Sequence, residues 1–127
     1  MSVAVDTSIW IEFFRGTGAR ELERLLLDGL VVLSPVVVAE LFSAPLRRPE
    51  LQTLRAALEG LPLHPTPFEH WQSVGYLRAK LARGGVSIST PDAHVAQCAL
   101  DVQGYLWTKD AIFRSASKAA GLRLWQP

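Results

Sequence analysis

The chain has 127 residues, and its 13 basic and 12 acidic side chains leave a formal net charge of +1. So even a balance gives no general attraction to polyanions, and a nucleic-acid partner has to be held by local charge and by metal. Hydrophobic residues at 49% against charged residues at 20% exclude a disordered chain, and at this length roughly two-thirds of the unfolded surface is buried without covalent staples.

Val3, Ala4 and Val5 predict a strand that Asp6 ends. Residues 7–15 follow as a helix with Ile9, Trp10, Phe13 and Phe14 on one face. Gly16 and Gly18 break it, and 19–28 reads as a second helix carrying Leu22, Leu25 and Leu26 up to Gly29. Residues 30–33 predict a second strand. Ser34 then serves as N-cap with Pro35 at the first helical position, opening a helix over 36–44 that is apolar nearly all round and therefore expected to be buried. Leu51, Leu54 and Leu58 mark a further helix before Gly60, and 61–63 is a short third strand. Thr66, Pro67 and Glu69 form a capping box for a helix running to Arg83 and closed by Gly84 and Gly85. Thr90 and Pro91 open the next helix, with Val95, Ala96, Ala99 and Leu100 facing inward. Residues 105–107 give a fourth strand, 109–120 a last helix stopped by Gly121, and 122–125 an edge strand. Short, wholly apolar strands alternating with helices imply an α/β fold whose mostly parallel sheet is covered on both faces. In such sheets ligands bind beyond the carboxyl ends of the strands.

Four acids stand where a plain core has no use for them. Asp6 and Asp110 follow strand ends, Asp92 opens the helix that leads into the fourth strand, and Glu40 is the lone charge in the apolar stretch from Ser34 to Leu46. Each also has a local use: Asp6 as an N-cap, Asp92 and Asp110 as first-turn acids favoured by the helix dipole, Glu40 on a solvated stripe. Together they fall where one rim of a parallel sheet gathers them, and like charges in one cleft require a cation. Oxygen donors without His or Cys beside them select Mg2+ or Mn2+ over zinc. His64, His70 and His94 are scattered along the chain, and no Cys/His set has zinc spacing. The single cysteine, Cys98, excludes an internal disulfide and suits a reducing compartment. No basic segment precedes Asp6, and apolar runs such as 36–39 are far too short to cross a bilayer, so a cytoplasmic protein without a membrane partner is expected.

These residues resemble the PIN-domain family, in particular the VapC toxins of prokaryotic toxin–antitoxin pairs. Val5-Asp6-Thr7-Ser8-Ile9-Trp10-Ile11 is similar to the family's first motif and Val38-Ala39-Glu40-Leu41 to its second. Pro91-Asp92-Ala93-His94-Val95-Ala96 is similar to the third, and Leu106-Trp107-Thr108-Lys109-Asp110-Ala111-Ile112-Phe113 to the fourth. Gly121-Leu122-Arg123-Leu124 also fits, so the resemblance covers essentially the whole chain as one domain, 1–127. His94 and Gln97 depart from the apolar or small residues common there, and Trp107 is bulky beside the fourth acid, but no carboxylate is lost. The resemblance implies a Rossmann-like three-layer α/β/α fold with about five short strands. It also implies a homodimer, a VapB-like antitoxin that inserts a C-terminal segment into the acidic cleft, and an RNA substrate of the tRNA or rRNA kind.

The expected chemistry is hydrolysis of an RNA phosphodiester, leaving a 5′-phosphate and a 3′-hydroxyl. Asp6, Glu40, Asp92 and Asp110 hold one or two divalent ions, with Asp6 and then Asp92 as direct ligands and Glu40 and Asp110 acting through waters. Thr7, Ser8 and Thr108 are expected to orient carboxylates or waters. Arg15, Arg47, Arg48 and Lys109 are the candidates for gripping RNA, with Arg47 and Arg48 in a connection between Pro45 and Pro49. His94 reads as a polar helix residue and Cys98 as core packing. Two rival functions are a metal-dependent phosphatase with Asp6 as nucleophile, which would want an acid where Ser8 stands, and a PIN-like binding module without catalysis.

Overall fold

The computed structural model describes residues 1–17 and 20–127. The expected break at Gly18 and the helix start at Ala19 lie outside the described residues. In chain order the elements are β1 (Val3–Val5), α1 (Thr7–Phe14), α2 (Arg20–Leu27), β2 (Val31–Val32), α3 (Pro35–Ser43) and α4 (Arg48–Glu59). They continue with α5 (Phe68–Arg83), α6 (Thr90–Asp101), β3 (Tyr105–Trp107), α7 (Ile112–Ala120) and β4 (Arg123–Leu124).

The strands form one four-stranded sheet in the order β2-β1-β3-β4, and every pairing is parallel. Val3, Ala4 and Val5 are at most 1% exposed although their side chains alternate between faces, so helices cover the sheet on both sides. About five strands were expected and four form. The segment 61–63 adds only a single bridge, Leu33 to Leu63, because Pro62 lacks the amide a continued ladder needs. The chain moves outward from β1 to β2, then returns to place β3 on the other side of β1. That reversal makes the β1/β3 boundary the switch point of the sheet, where a crevice opens beyond the strand ends. Asp6 follows β1 directly, and Thr108 to Asp110 follow β3.

Local sequence explains most boundaries. Ser34 caps α3 by accepting from Val37 N at 3.2 Å, and Ser89 caps α6 by accepting from Asp92 N at 3.2 Å. Gly121 ends α7 in the left-handed region at φ 68°, freeing the chain to turn into β4. Four expectations need correction. The Thr66 capping box does not form: α5 begins after Pro67 without a side-chain cap. The last helix starts at Ile112, not at residue 109, because Asp110 ends a side-chain-bonded turn ahead of it. Arg48 opens α4 and is not part of the connection before it. Helix α3 is not buried all round: Val37 and Leu41 face the core, while Phe42 is 44% exposed.

Helix α6 packs against α5 and runs beneath β1 and β3, and its inner residues Ala93, Val95, Ala96 and Ala99 are almost fully buried. Small side chains let the helix lie close to the sheet, which sets the depth at which Asp92 reaches the rim. Gly104 does the same for β3. A Cβ there would lie 2.3 Å from the Ser2 carbonyl oxygen, the group that accepts from Tyr105 N at 2.8 Å to begin the β1–β3 ladder. Gly104→Ala is therefore expected to lower unfolding stability by about 2 kcal/mol or more. Denaturant melts of the two proteins measure this, and an unchanged midpoint would show that β3 is not seated so close to the chain start.

Candidate active site at the strand ends

The carboxyl end of β1 presents Asp6, which is 8% exposed. Its backbone N–H donates to Trp107 O at 2.9 Å, tying the end of β1 to the end of β3. Its Oδ1 accepts from Thr7 N at 2.8 Å and its Oδ2 accepts from Thr108 Oγ1 at 2.7 Å. The local reading of Asp6 is realised, since it caps α1, and its second oxygen is held by a residue 102 positions away.

From Asp6 a chain of bonds runs in two directions. Thr7 Oγ1 donates to Glu40 Oε1 at 2.8 Å, bringing in α3. Thr108 Oγ1 accepts from Asp110 N at 3.0 Å, and Asp110 Oδ1 accepts from Ile112 N at 3.1 Å. Glu40, Thr7, Asp6, Thr108 and Asp110 thus form one continuous linkage across three elements. Asp92, half-buried in the first turn of α6, joins through its field. Burial raises its pKa, a hydrogen bond with the Ser89 side chain lowers it, and the charges of Asp6 and Asp110 raise it again. For Asp6 burial is the largest cause of a raised pKa. The bonds from Thr108 and Thr7 oppose that rise, and the charges of Glu40 and Asp110 add to it. Asp6 thus lies in the field of Glu40 and Asp110, and Asp92 in that of Asp6 and Asp110, although these acids lie far apart in sequence.

Their arrangement is open. Among the described residues, ligand atoms that crowd within 4.8 Å of one another in threes belong to histidine clusters elsewhere and not to these acids. Glu40 is exposed on α3, so its charge is not a buried one in need of compensation. Ser8 does not orient a carboxylate: its hydroxyl is buried without a hydrogen-bond partner in the protein. Thr7 and Thr108 take that part instead.

The candidate RNA-gripping side chains are exposed, but two are already engaged. Lys109 Nζ pairs with Glu12, and Arg47 Nε pairs with Glu50 at 3.0 Å. Arg15 lies near enough to Glu50 to help lower its pKa, and Arg48 is exposed on α4. A cation that was missed is Arg114. With Trp107, Thr108, Lys109, Asp110 and Trp125 it lines a cavity of about 400 Å³ beside the acids. Its signal was present: it lies four residues after Asp110, at the start of an amphipathic helix.

The histidines were also misjudged as scattered. Ser34 Oγ lies 2.6 Å from His94 Nε2, and His94 Nδ1 lies 2.8 Å from His70 Nε2. His70 Nδ1 and His64 Nε2 then both meet Asp101 Oδ2, at 2.6 and 2.8 Å. His94 is fully buried, and burial pushes its pKa down to about 4. Burial also pushes the Cys98 thiol up to about 12, as expected of a packing cysteine. The readable sign was the polar stripe His94, Gln97, Asp101 at helical spacing on an otherwise apolar helix.

The family description "PIN domain" matches residues 3–119. The chain belongs to the PIN-domain family. Among solved structures, this PIN domain is similar to VapBC2 from Rickettsia felis bound to a DNA fragment from their promoter, at 21% identity and a TM-score of 0.79, covering 99% of this chain and 100% of that one. It is similar to DNA-bound VapBC from Salmonella typhimurium at 19% identity and a TM-score of 0.80, covering 98% and 97% of the two chains. FitAcB from Neisseria gonorrhoeae matches at 22% identity with a TM-score of 0.70, covering 98% and 97%. No curated protein matches the chain at the sequence level. Among the described residues no helix of the PIN domain is long and apolar enough to cross a membrane.

Burial of Asp6, with like charges beside it, makes a prediction for the metal-free protein. Because the folded-state pKa of Asp6 is raised from 3.8, the fold holds that proton longer than the unfolded chain does. The stability this gives is present below the ordinary value and is lost as pH rises through the raised one. Asp6→Asn removes the titration. Its melting temperature relative to wild type, measured with chelator present, is expected to climb across that window and then level off. A difference that stays flat or shrinks would contradict a raised Asp6 pKa in the fold.

Proposed function

We propose that this PIN domain, spanning residues 1–127, is a Mg2+- or Mn2+-dependent endoribonuclease and the toxin of a VapBC-type pair acting in the cytoplasm. The observation that carries the reading is the linkage of Glu40, Asp6 and Asp110 through Thr7 and Thr108, with Asp92 in the same field. The donor set fits a hard cation: every side-chain donor is an oxygen, two of the acids have pKa values raised partly by their neighbours, and among the described residues no cationic side chain bonds Asp6. The open spacing suits an ion that keeps several of its own waters.

In this reading Asp6 and Asp92 are the direct ligands, and Glu40 and Asp110 hold coordinated waters. A bound divalent ion supplies an activated water and offsets charge on the phosphate oxygens. The protein's own work is positional. Thr108 and the Thr7 amide fix the two Asp6 oxygens, and Thr7 turns Glu40 toward the same crevice. Arg114 and Lys109, lining the adjoining cavity, meet the RNA phosphates, while Arg15, Arg47 and Arg48 add exposed charge farther out. Folds similar to this one come from complexes named VapBC, FitAcB and FitAB, which supports a VapB-like antitoxin as partner. The exposed apolar side chains Phe42 and Leu63, bordering a groove with Val38 and Leu61, offer surface for that partner or for a homodimer. The RNA cut is of the tRNA or rRNA kind.

Cleavage of total tRNA and rRNA by the purified chain tests this. Activity is expected with Mn2+ or Mg2+ and not with chelator, and Asp6→Asn is expected to lose about 100-fold or more. Thr108→Val, which frees one Asp6 oxygen, should lose about 10- to 100-fold while its binding of RNA persists. Arg114→Ala should instead weaken RNA binding and flatten its dependence on salt. Cleavage that survives chelation, or an Asp6→Asn protein as active as wild type, overturns the assignment.

A further inference from the structure

Asp101 closes α6 at the end opposite Asp92, roughly 14 Å farther along the helix axis. Three elements converge on it. His64 comes from the segment after the Leu33–Leu63 bridge, where its amide is pinned by donating to Leu33 O at 2.8 Å. His70 comes from the first turn of α5, and Gln97, one turn earlier on α6, donates to Asp101 Oδ1 at 2.8 Å. The free edge of the carboxylate, Oδ2, faces His64 Nε2 and His70 Nδ1. The side chains of His64 and His70 are 8% and 2% exposed, and that of Asp101 is 27% exposed. All three border a surface groove that Glu69 and Ser73 also line.

We propose that His64, His70 and Asp101 form a zinc-class divalent metal site, separate from the acidic cluster. Two imidazole nitrogens and one carboxylate oxygen make the three-ligand set of an open tetrahedral site, and imidazole selects zinc-class ions over magnesium. The three ligand atoms already lie within 4.8 Å of one another. Metal–ligand bonds of about 2.0–2.2 Å would set these atoms roughly 3.2–3.6 Å apart, so the contacts of 2.6 and 2.8 Å to Asp101 open by under about 1 Å. The fourth position belongs to water or to Glu69 on the groove side.

The surroundings complete the site. A ligating histidine is held by a partner on its other ring nitrogen. For His70 that partner is His94 Nδ1, at 2.8 Å from Nε2, and His94 is in turn bonded to Ser34 Oγ at 2.6 Å. Trp71 stacks on the His94 ring, 4.8 Å between centroids and 15° between planes, which fixes its orientation. Without metal, the bonds are all satisfied when His94 and His70 carry their protons on Nδ1 and His64 carries its proton on Nε2. Metal binding reverses the relay. His70 presents a bare Nδ1 and donates from Nε2 to His94, His94 donates from Nε2 to Ser34 Oγ, and the Ser34 hydroxyl turns to the Cys98 sulfur within its reach. His64 frees Nε2 for the ion by moving its proton to Nδ1. Each histidine moves one proton between its own ring nitrogens, and none is gained or lost. The ion then clamps the start of α5, the end of α6 and the connection at the sheet edge.

The full chain, stripped of metal, is titrated with Co2+ and then Zn2+. Wild type and Asp6→Asn are expected to bind one Co2+ with the intense visible absorption of a four-coordinate ion. Zn2+ should displace it and raise the melting temperature by roughly 5 °C or more. His64→Gln, changing the more exposed of the two histidine ligands, should lose the spectrum and the rise while melting normally without metal. In long-range 1H–15N spectra of wild type, the His70 proton should move from Nδ1 to Nε2 on adding Zn2+. No uptake of Co2+ or Zn2+, a spectrum kept by His64→Gln, a spectrum lost in Asp6→Asn, or an unmoved His70 proton overturns the proposal.

Discussion

The Asp6 carboxylate sits almost out of solvent at the end of the central strand, and among the described residues it has no salt-bridge partner. Its position follows from the sheet. Asp6 N is spent on Trp107 O, so the residue cannot swing away from the β1–β3 boundary without breaking the join between the strands. Its oxygens are then held from both sides by Thr7 and Thr108. These bonds favour the charged form, and burial with two neighbouring acids disfavours it. Leaving a charge so placed costs free energy that a plain core would avoid, and under the proposed function a cation shared with Glu40, Asp92 and Asp110 would offset that cost.

The order of the strands explains why acids from opposite ends of the chain meet. A sheet wound β1, β2, then back to β3 leaves a gap in helix cover beyond the β1 and β3 ends. Asp6 and Asp110 are the residues that emerge there. Helix α6 must pass beneath both strands to reach β3, and its first turn delivers Asp92 to the same rim. Helix α3 packs on both α1 and α6, so Glu40 approaches from the side and reaches the group through Thr7 rather than through burial.

Much of this was legible in the sequence because it rests on local rules. Strands of uniform hydrophobicity, proline after a capping residue at Pro35 and Pro91, and a left-handed glycine at Gly121 fix most of the elements. Asp6, Asp92 and Asp110 could be named because each stands next to an element end, and Glu40 because it is the lone charge in an apolar stretch. What local rules do not reach is pairing across distance. The segment 61–63 looks like a strand, but whether it ladders depends on the amide that Pro62 lacks. Helix α3 looks buried from its composition, but how much of it is covered depends on neighbours, and Phe42 has none deep enough. The histidines are separated by intervals that match no metal motif, and only the packing of α5 on α6 brings His70 against His94.

Helix α6 therefore carries two polar ends on an apolar shaft, and the two differ in the cation they suit. At Asp92 the donors are oxygens, spaced loosely and backed by threonine hydroxyls, an environment that would suit a hydrated hard ion. At Asp101 the donors include imidazole nitrogens, drawn together and backed by a second buried histidine, an environment for a softer ion held for its geometry. The apolar residues between them, Val95, Ala96 and Ala99, lie against the sheet and keep the ends from exchanging ligands. An ion at the Asp101 end would fix where α6 stops and β3 begins. Since Thr108 and Asp110 follow β3, that anchor would also set how firmly the acids at the other end are held.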